Sequence, residues 1–116
     1  MTIKDLNPQI VWKYFEEITQ VPRPSKKEEK VIAYLLDFAQ KHQLEVKKDK
    51  AGNVLIRKDA SKGYENRDRV ILQSHVDMVC EKNKGKVHNF DTDPIETLVE
   101  GDWLKANGTT LAADDG

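Results

Sequence analysis

The sequence contains little of what marks a secreted, membrane-spanning or nucleic-acid-binding protein. Its 116 residues include one cysteine, Cys80, which cannot form an internal disulfide and therefore favours a reducing compartment. No apolar run approaches the length of a membrane span, and the first residues lack the basic and apolar regions of a signal peptide. With 19 basic and 20 acidic residues, the formal charge of −1 gives no electrostatic reason to expect a nucleic acid or an anionic membrane as partner. These absences predict a cytoplasmic protein.

Internal repeats, low-complexity tracts and a clear domain boundary are also absent from the sequence. The 34% of charged residues is spread over both signs, which is typical of solvated faces rather than of a disordered tail. We therefore expect residues 1–116 to form part of one folded domain.

Two helices are predicted in the first third of the chain. Asn7 can cap the first, and Pro8 fits its first turn, before apolar residues that recur at helical spacing. Prolines within residues 19–24 then end it. The second helix is predicted to begin at Ser25, whose hydroxyl can form a capping box with Glu28.

Alternating and apolar segments predict strands in the remainder. Residues 44–48 and 53–57 suggest one hairpin, and residues 95–100 and 103–106 suggest another. Residues 70–73, which begin with three apolar side chains, predict a buried central strand. Helices followed by strands predict an α/β fold in which a mixed sheet is flanked by helices.

A histidine and an aspartate follow the predicted central strand. Ligands and catalytic groups gather at the carboxyl ends of strands in open α/β folds, and His75 and Asp77 stand there. In extended backbone their side chains share one face, because residues i and i+2 point the same way. One carboxylate can then orient one imidazole, as happens for histidines that bind metals. The plainer alternative is a surface pair.

Two adjacent carboxylates, Asp114 and Asp115, stand close to the end of the sequence. Their mutual repulsion is easiest to understand if a cation offsets it, although Asp-Asp-Gly is also common in turns and can open a helix. Histidine and carboxylates without a thiolate cluster suit zinc, manganese or cobalt.

These residues lie within a series of ordered motifs that resembles a known family. The chain is similar to the aminoacyl-histidine dipeptidases, also called Xaa-His or cytosol non-specific dipeptidases, which belong to the two-zinc peptidases. The motifs that carry the resemblance are residues 21–25, 74–83, 88–91, 93–95, 103–106 and 108–114.

The resemblance implies a role for each candidate residue. His75 would ligate one of two divalent metal ions, most readily Zn²⁺ with Mn²⁺ or Co²⁺ as alternatives. Asp77 would take a catalytic part by holding the ring of His75, and Asp114 would bridge both ions. The family's general base and remaining ligands come from positions beyond this sequence. Residues 1–116 would thus be the N-terminal part of the catalytic domain, ending just after the bridging aspartate.

The resemblance also implies a substrate and an assembly. The full-length enzyme would hydrolyse dipeptides of the Xaa-His type with broad specificity and would be a homodimer, whereas the 116-residue chain alone would be inactive. A tripeptidase or amino-acid deacylase of the same family is an alternative. A non-catalytic fragment that keeps half of the metal site is another.

Four further positions carry expectations of their own. Ala112 stands where the family has glycine, and Asp115 stands where asparagine is common, adding a negative charge. Arg23, between two prolines, would either meet a substrate carboxylate or hold its loop against Glu28 or Glu29. His88 is expected to make a structural hydrogen bond or to lie at the surface rather than to bind metal.

Overall fold

Helices and antiparallel hairpins make up the regular structure of residues 1–114 in the computed structural model, and Asp115 and Gly116 lie outside the described residues. Two expectations therefore lie outside the described residues: the one for Asp115 and the one that a helix begins at residues 114–116. A short 3₁₀ turn at Ile3–Asp5 comes first. The other elements are α1 (Gln9–Thr19), α2 (Glu29–Lys41), β1 (Glu45–Lys48), β2 (Val54–Arg57), β3 (Thr97–Glu100) and β4 (Trp103–Ala106). The predicted α/β class is confirmed, with its strands arranged as small antiparallel sheets.

Helix α1 begins close to the predicted position, but its cap differs. Pro8 occupies the N-cap position and no side chain caps the helix, so the prediction that Asn7 is the cap is wrong. The Asn7 carbonyl instead accepts a hydrogen bond from the indole Nε1 of Trp12 at 3.1 Å. This bond ties the segment before the helix to its first turn.

Helix α2 begins at Glu29, four residues later than predicted, so the capping box at Ser25 and Glu28 is wrong. The backbone of Lys26 has φ 70°, in the left-handed region, and a right-handed helix cannot run through it. Glu28 accepts a hydrogen bond from the Lys26 amide through its carboxylate. Since the helix begins at Glu29, the Ser25 hydroxyl does not cap it.

Both predicted hairpins are confirmed. Strands β1 and β2 pair antiparallel with Glu45 opposite Arg57, and β3 and β4 pair antiparallel with Thr97 opposite Ala106. The second hairpin turns at Gly101, whose φ of 58° is left-handed and suits glycine.

The predicted buried strand at residues 70–73 is wrong. This segment pairs with no strand within residues 1–114, and Val70, Ile71 and Leu72 are 78%, 80% and 92% exposed. The apolar composition expresses a tendency to form a strand, but a strand needs a partner to satisfy its backbone groups and a layer to cover its faces.

The chain divides into two compact units. The first unit contains Met1–Val31 and the described residues from His75 onward, and the second unit is Ile32–Ser74. Apolar Ile3, Val31, Met78 and Ile95 are buried in the first unit, together with Thr19 and Arg23. The Ile95 amide donates to the Thr19 carbonyl at 2.9 Å, which joins the entry of the β3–β4 hairpin to the end of α1.

The second unit contains most of α2 and the β1–β2 hairpin. Ala39 is fully buried in it, and the Ile32 side chain lies where a Cβ at Gly52 would meet it. Among the described helices of the whole chain, none is long and apolar enough to cross a membrane.

Candidate active site

The imidazole of His75 is held from one side by Asp77. Its Nδ1 lies 2.9 Å from the Asp77 carbonyl oxygen and 3.2 Å from the carboxylate oxygen Oδ1 of the same residue. Both neighbours are acceptors, so Nδ1 carries a proton and donates it. In the neutral ring the lone pair is therefore on Nε2, which is the arrangement that a metal-ligating histidine needs.

The other ring nitrogen faces Asp114. His75 Nε2 lies 3.5 Å from Asp114 Oδ2, although the two residues are far apart in sequence. The Asp114 side chain is 80% exposed, so this carboxylate is open to solvent. The structure thus brings all three predicted site residues together in the first unit, in the order Asp77, His75, Asp114.

The carboxylate of Asp77 is itself anchored. Its Oδ2 accepts a short hydrogen bond from the Ser25 hydroxyl, while its Oδ1 faces His75. The Ser25 bond is the main reason why the pKa of Asp77 lies below its ordinary value, partial burial opposes it, and the His75 ring adds to the lowering. Asp77 is therefore an anion with both oxygens occupied.

Arg23 contacts residues next to the site, Met78 and Ala112, and is 1% exposed. Its guanidinium donates to the Ala112 carbonyl at 3.2 Å and to the Ile18 carbonyl at 3.4 Å, and it also contacts the Met78 sulfur at 3.8 Å. These two hydrogen bonds of the guanidinium go to backbone carbonyls, and a substrate carboxylate, or Glu28 or Glu29, as a partner of Arg23 stays a prediction. The guanidinium joins the end of α1 to the segments that carry Asp77 and Asp114.

Ala112 has a left-handed backbone with φ 58°. This conformation costs a residue with a Cβ about 1–2 kcal/mol more than it costs glycine. The expectation of glycine at this position, which came from the family resemblance, agrees with such a backbone. The Arg23 bond to the Ala112 carbonyl stabilises the conformation against that cost.

The donor set suits a metal but is incomplete. One imidazole nitrogen and one carboxylate fit zinc, and Asp77 supplies the outer hydrogen bond that such a histidine requires. A tetrahedral site needs four ligands. Within residues 1–114, no group of three or more His, Cys, Asp or Glu side chains is placed to hold a metal ion. The described residues thus offer at most half of a centre.

Comparison with known proteins agrees with the motif pattern. No protein-family model matches the chain. The cytosol non-specific dipeptidase of Escherichia coli (strain K12) is 46% identical over 114 residues, which is 98% of this chain. The crystal structure of aminoacylhistidine dipeptidase from Vibrio alginolyticus superimposes with a TM-score of 0.95 at 42% identity, again over 98% of this chain. The resemblance to the aminoacyl-histidine dipeptidases is confirmed.

The match covers only part of each dipeptidase. This chain spans about a quarter of their length, 24% of the Escherichia coli protein and 23% of the Vibrio alginolyticus chain. The matching part contains His75, Asp77 and Asp114, which the resemblance assigned to the metal centre of these dipeptidases.

Ser25 was missed as a site residue by sequence reasoning. Its contact with Asp77 joins residues 52 positions apart, and neither periodicity nor local spacing reports such a contact. The only sequence signal is its place in residues 21–25, one of the motifs shared with the dipeptidases.

Other candidate side chains take structural positions. His88 packs edge-on against Phe90 with ring centroids 4.5 Å apart, and its buried Nε2 finds no hydrogen-bond partner among the described residues, so the expected structural hydrogen bond is wrong for that atom. Cys80 is half-buried, its Sγ lies 3.6 Å from the Met78 carbonyl, and burial raises the pKa of its thiol.

Proposed function

We propose that this chain carries part of the metal centre of a dipeptidase, with His75 and Asp114 as ligands and Asp77 as the residue that orients His75. The observation that carries the proposal is the line of three side chains in which Asp77 binds Nδ1 of the imidazole while Nε2 faces Asp114 at 3.5 Å. Similarity to two proteins named as dipeptidases supports the reaction class.

Each residue has a defined chemical task in this proposal. Asp77 keeps the proton on Nδ1, so that Nε2 can donate its lone pair. Asp114 offers two carboxylate oxygens, which suits a ligand shared between two ions. Two divalent ions, most readily Zn²⁺, would supply Lewis acidity for hydrolysis of the peptide bond when bound. The general base and the remaining ligands would come from residues other than those described.

The substrate and setting are inferred from the same relatives. We infer that the complete protein hydrolyses dipeptides, including the Xaa-His type, acts in the cytoplasm and forms a homodimer. The 116-residue chain alone should be inactive, because residues 1–114 supply two of the proposed ligands and no general base. A tripeptidase or deacylase, or a non-catalytic fragment, remains the competing function.

A chimera tests the proposal directly. Residues 1–114 would replace the matching part of the Escherichia coli cytosol non-specific dipeptidase, which is similar over nearly this whole chain. We expect the zinc-loaded chimera to hydrolyse dipeptides, and His75→Ala and Asp114→Ala to reduce turnover to background and lower the zinc content. Tripeptide and acyl-amino-acid substrates in the same assay separate the enzymatic alternatives.

Matched controls separate loss of ligands from loss of folding. His42→Ala removes a ring whose centroid lies 4.3 Å from that of the Phe38 ring, and Asp102→Ala removes an exposed turn carboxylate. Both controls should retain activity and metal. Full turnover in His75→Ala or Asp114→Ala would contradict the assignment of these ligands.

A further inference from the structure

We propose that Ser25 is a positioning residue that acts on His75 through Asp77. The proposal rests on the proposed function and extends it to a third residue in a chain that runs from the Ser25 hydroxyl to the Asp77 carboxylate and on to the imidazole Nδ1.

The hydrogen-bond geometry indicates that the Ser25 hydroxyl donates to the Asp77 carboxylate. A hydroxyl has one proton, and two acceptors are near it: Asp77 Oδ2 and, at 3.5 Å, the Met78 carbonyl. The proton goes to the carboxylate, which is both nearer and charged. Asp77 then has Oδ2 fixed by Ser25 and Oδ1 directed at His75, so its side chain cannot rotate without breaking one of the two bonds.

The backbone holds Ser25 in place for this task. The Met78 amide donates to the Arg23 carbonyl at 3.0 Å, and Pro24 and Met78 form a parallel bridge. Ser25 therefore lies beside the residue that follows Asp77. Because the left-handed Lys26 delays α2 to Glu29, the hydroxyl is not used as a helix cap.

Loss of the hydroxyl should loosen the imidazole rather than unfold the unit. The Asp77 side chain is 35% exposed, so water can replace Ser25 at Oδ2, and the carboxylate can then turn away from Nδ1. The Asp77 carbonyl at 2.9 Å would remain as an acceptor. Changes to groups that orient metal ligands typically cost 10- to 100-fold in metal affinity, and we expect about tenfold here because one acceptor remains.

The experiment compares three variants of the 116-residue chain with the unaltered chain. Ser25→Ala removes the hydroxyl, Ser25→Thr keeps it, and Thr110→Val is the matched control. Thr110 also donates its hydroxyl near this segment, to the Val79 carbonyl at 2.7 Å, but not to Asp77. Circular dichroism checks folding, and Ser25→Cys, a much weaker donor of similar size, replaces Ser25→Ala if the latter does not fold.

Two measurements are made on each variant. The first is the pair of ¹⁵N chemical shifts of the His75 ring without metal, which reports whether Nδ1 or Nε2 carries the proton. The second is the dissociation constant for Co²⁺, a spectroscopic substitute for zinc, measured in the chimera described above with the same substitution, because the described residues alone offer at most half of a centre. We expect Ser25→Ala to shift the ring toward the Nε2-protonated form and to weaken Co²⁺ binding about tenfold. Ser25→Thr and Thr110→Val should resemble the unaltered chain in both.

A double-mutant cycle with Asp77→Asn tests the route of action. If Ser25 acts through Asp77, Ser25→Ala has little further effect on either measurement once Asp77 is changed, whereas independent effects would add.

Three outcomes would each overturn the proposal. They are unchanged ring shifts in Ser25→Ala, an equal change in Thr110→Val, and additivity in the cycle. Failure of the unaltered chimera to bind Co²⁺ would instead overturn the metal assignment, and the metal-free ring shifts of the chain would still decide the role of Ser25.

Discussion

The segments before and after His75 differ sharply in how they are held. Before it, Val70, Ile71 and Leu72 are largely exposed and pair with no strand in the described part of the chain. After it, Met78 is 3% exposed and its amide is bound by the Arg23 carbonyl. The described contacts that fix the His75 ring therefore come from residues on its C-terminal side.

The segment after His75 is held on two sides. Pro24 bridges Met78 on one side, and on the other the Asn83 amide donates to the Gly108 carbonyl at 2.8 Å while the Thr110 amide donates to the Glu81 carbonyl at 2.9 Å. These bonds connect the residues after Asp77 with the residues before Asp114. The comparison teaches that the candidate site depends on pairing near residues 78–83 rather than on the apolar run that predicted it.

The largest expected effect is that of Met78→Ala. Truncation of this buried side chain should lower the free energy of unfolding by about 2–5 kcal/mol, because it removes packing and leaves a cavity. Leu72→Ala, at an exposed position of the preceding segment, should change it by less than about 0.5 kcal/mol. Urea denaturation of both variants measures the difference. Equal losses of unfolding free energy would contradict the claim that the segment after His75 is packed and the segment before it is not.

A second effect concerns the buried guanidinium. Arg23→Met should lower the free energy of unfolding by about 2 kcal/mol, since the Ala112 and Ile18 carbonyls lose a charged donor. The matched control is Lys27→Met, which removes an ion pair with Asp91 in which both side chains are more than half exposed and which should contribute at most about 1 kcal/mol. A stability of Arg23→Met equal to that of the control would contradict the role assigned to Arg23.

Hydrogen exchange should resolve the two segments residue by residue. The amides of Met78, Asn83 and Thr110 donate to backbone carbonyls, and we expect their exchange to be slower than that of residues 70–72 by about tenfold or more after correction for intrinsic rates. The measurement uses two-dimensional NMR in deuterated buffer. Similar protection across both segments would mean that residues 70–73 are paired in solution.

The smallest expected effect is a gain. Ala112→Gly should raise the free energy of unfolding by up to about 1 kcal/mol, because glycine adopts the left-handed φ of 58° without steric cost, while its greater freedom in the unfolded chain offsets part of that gain. Ala106→Gly, at the last residue of β4, should act in the opposite direction and cost up to about 1 kcal/mol, because glycine loses more backbone entropy than alanine when it is fixed in a strand. Thermal denaturation of the pair checks the sign at each position.

Local signals predicted the elements that depend on local physics. The hairpins follow from strand-forming residues and from turns such as the one at Gly101, and the spacing of His75 and Asp77 indicates a shared face. The predicted strand at residues 70–73 failed because its formation depends on partners outside the segment. The predicted start of α2 failed because the backbone of Lys26 is left-handed, and the hydroxyl of Ser25 contacts Asp77, far along the chain, instead of nearby helix amides.

The candidate site adds a second lesson of this kind. The approach of His75 and Asp114 was expected from the family resemblance, and no periodicity or spacing in the sequence gives their 3.5 Å separation. The part played by Arg23 was likewise missed, since a residue between two prolines has the local features of a loop and not those of a buried cation. The candidate site is formed by contacts between residues far apart in sequence, and local sequence patterns do not predict such contacts.

The first unit is built from two separate stretches of sequence, with Ile32–Ser74 inserted between them. Residues 57–75 are all exposed, which makes this region accessible to a protease. A single cut there would leave Ser25 on one polypeptide and Asp77, His75 and Asp114 on the other. The candidate site could then be reconstituted by non-covalent association of two complementary fragments, each prepared and isotopically labelled on its own.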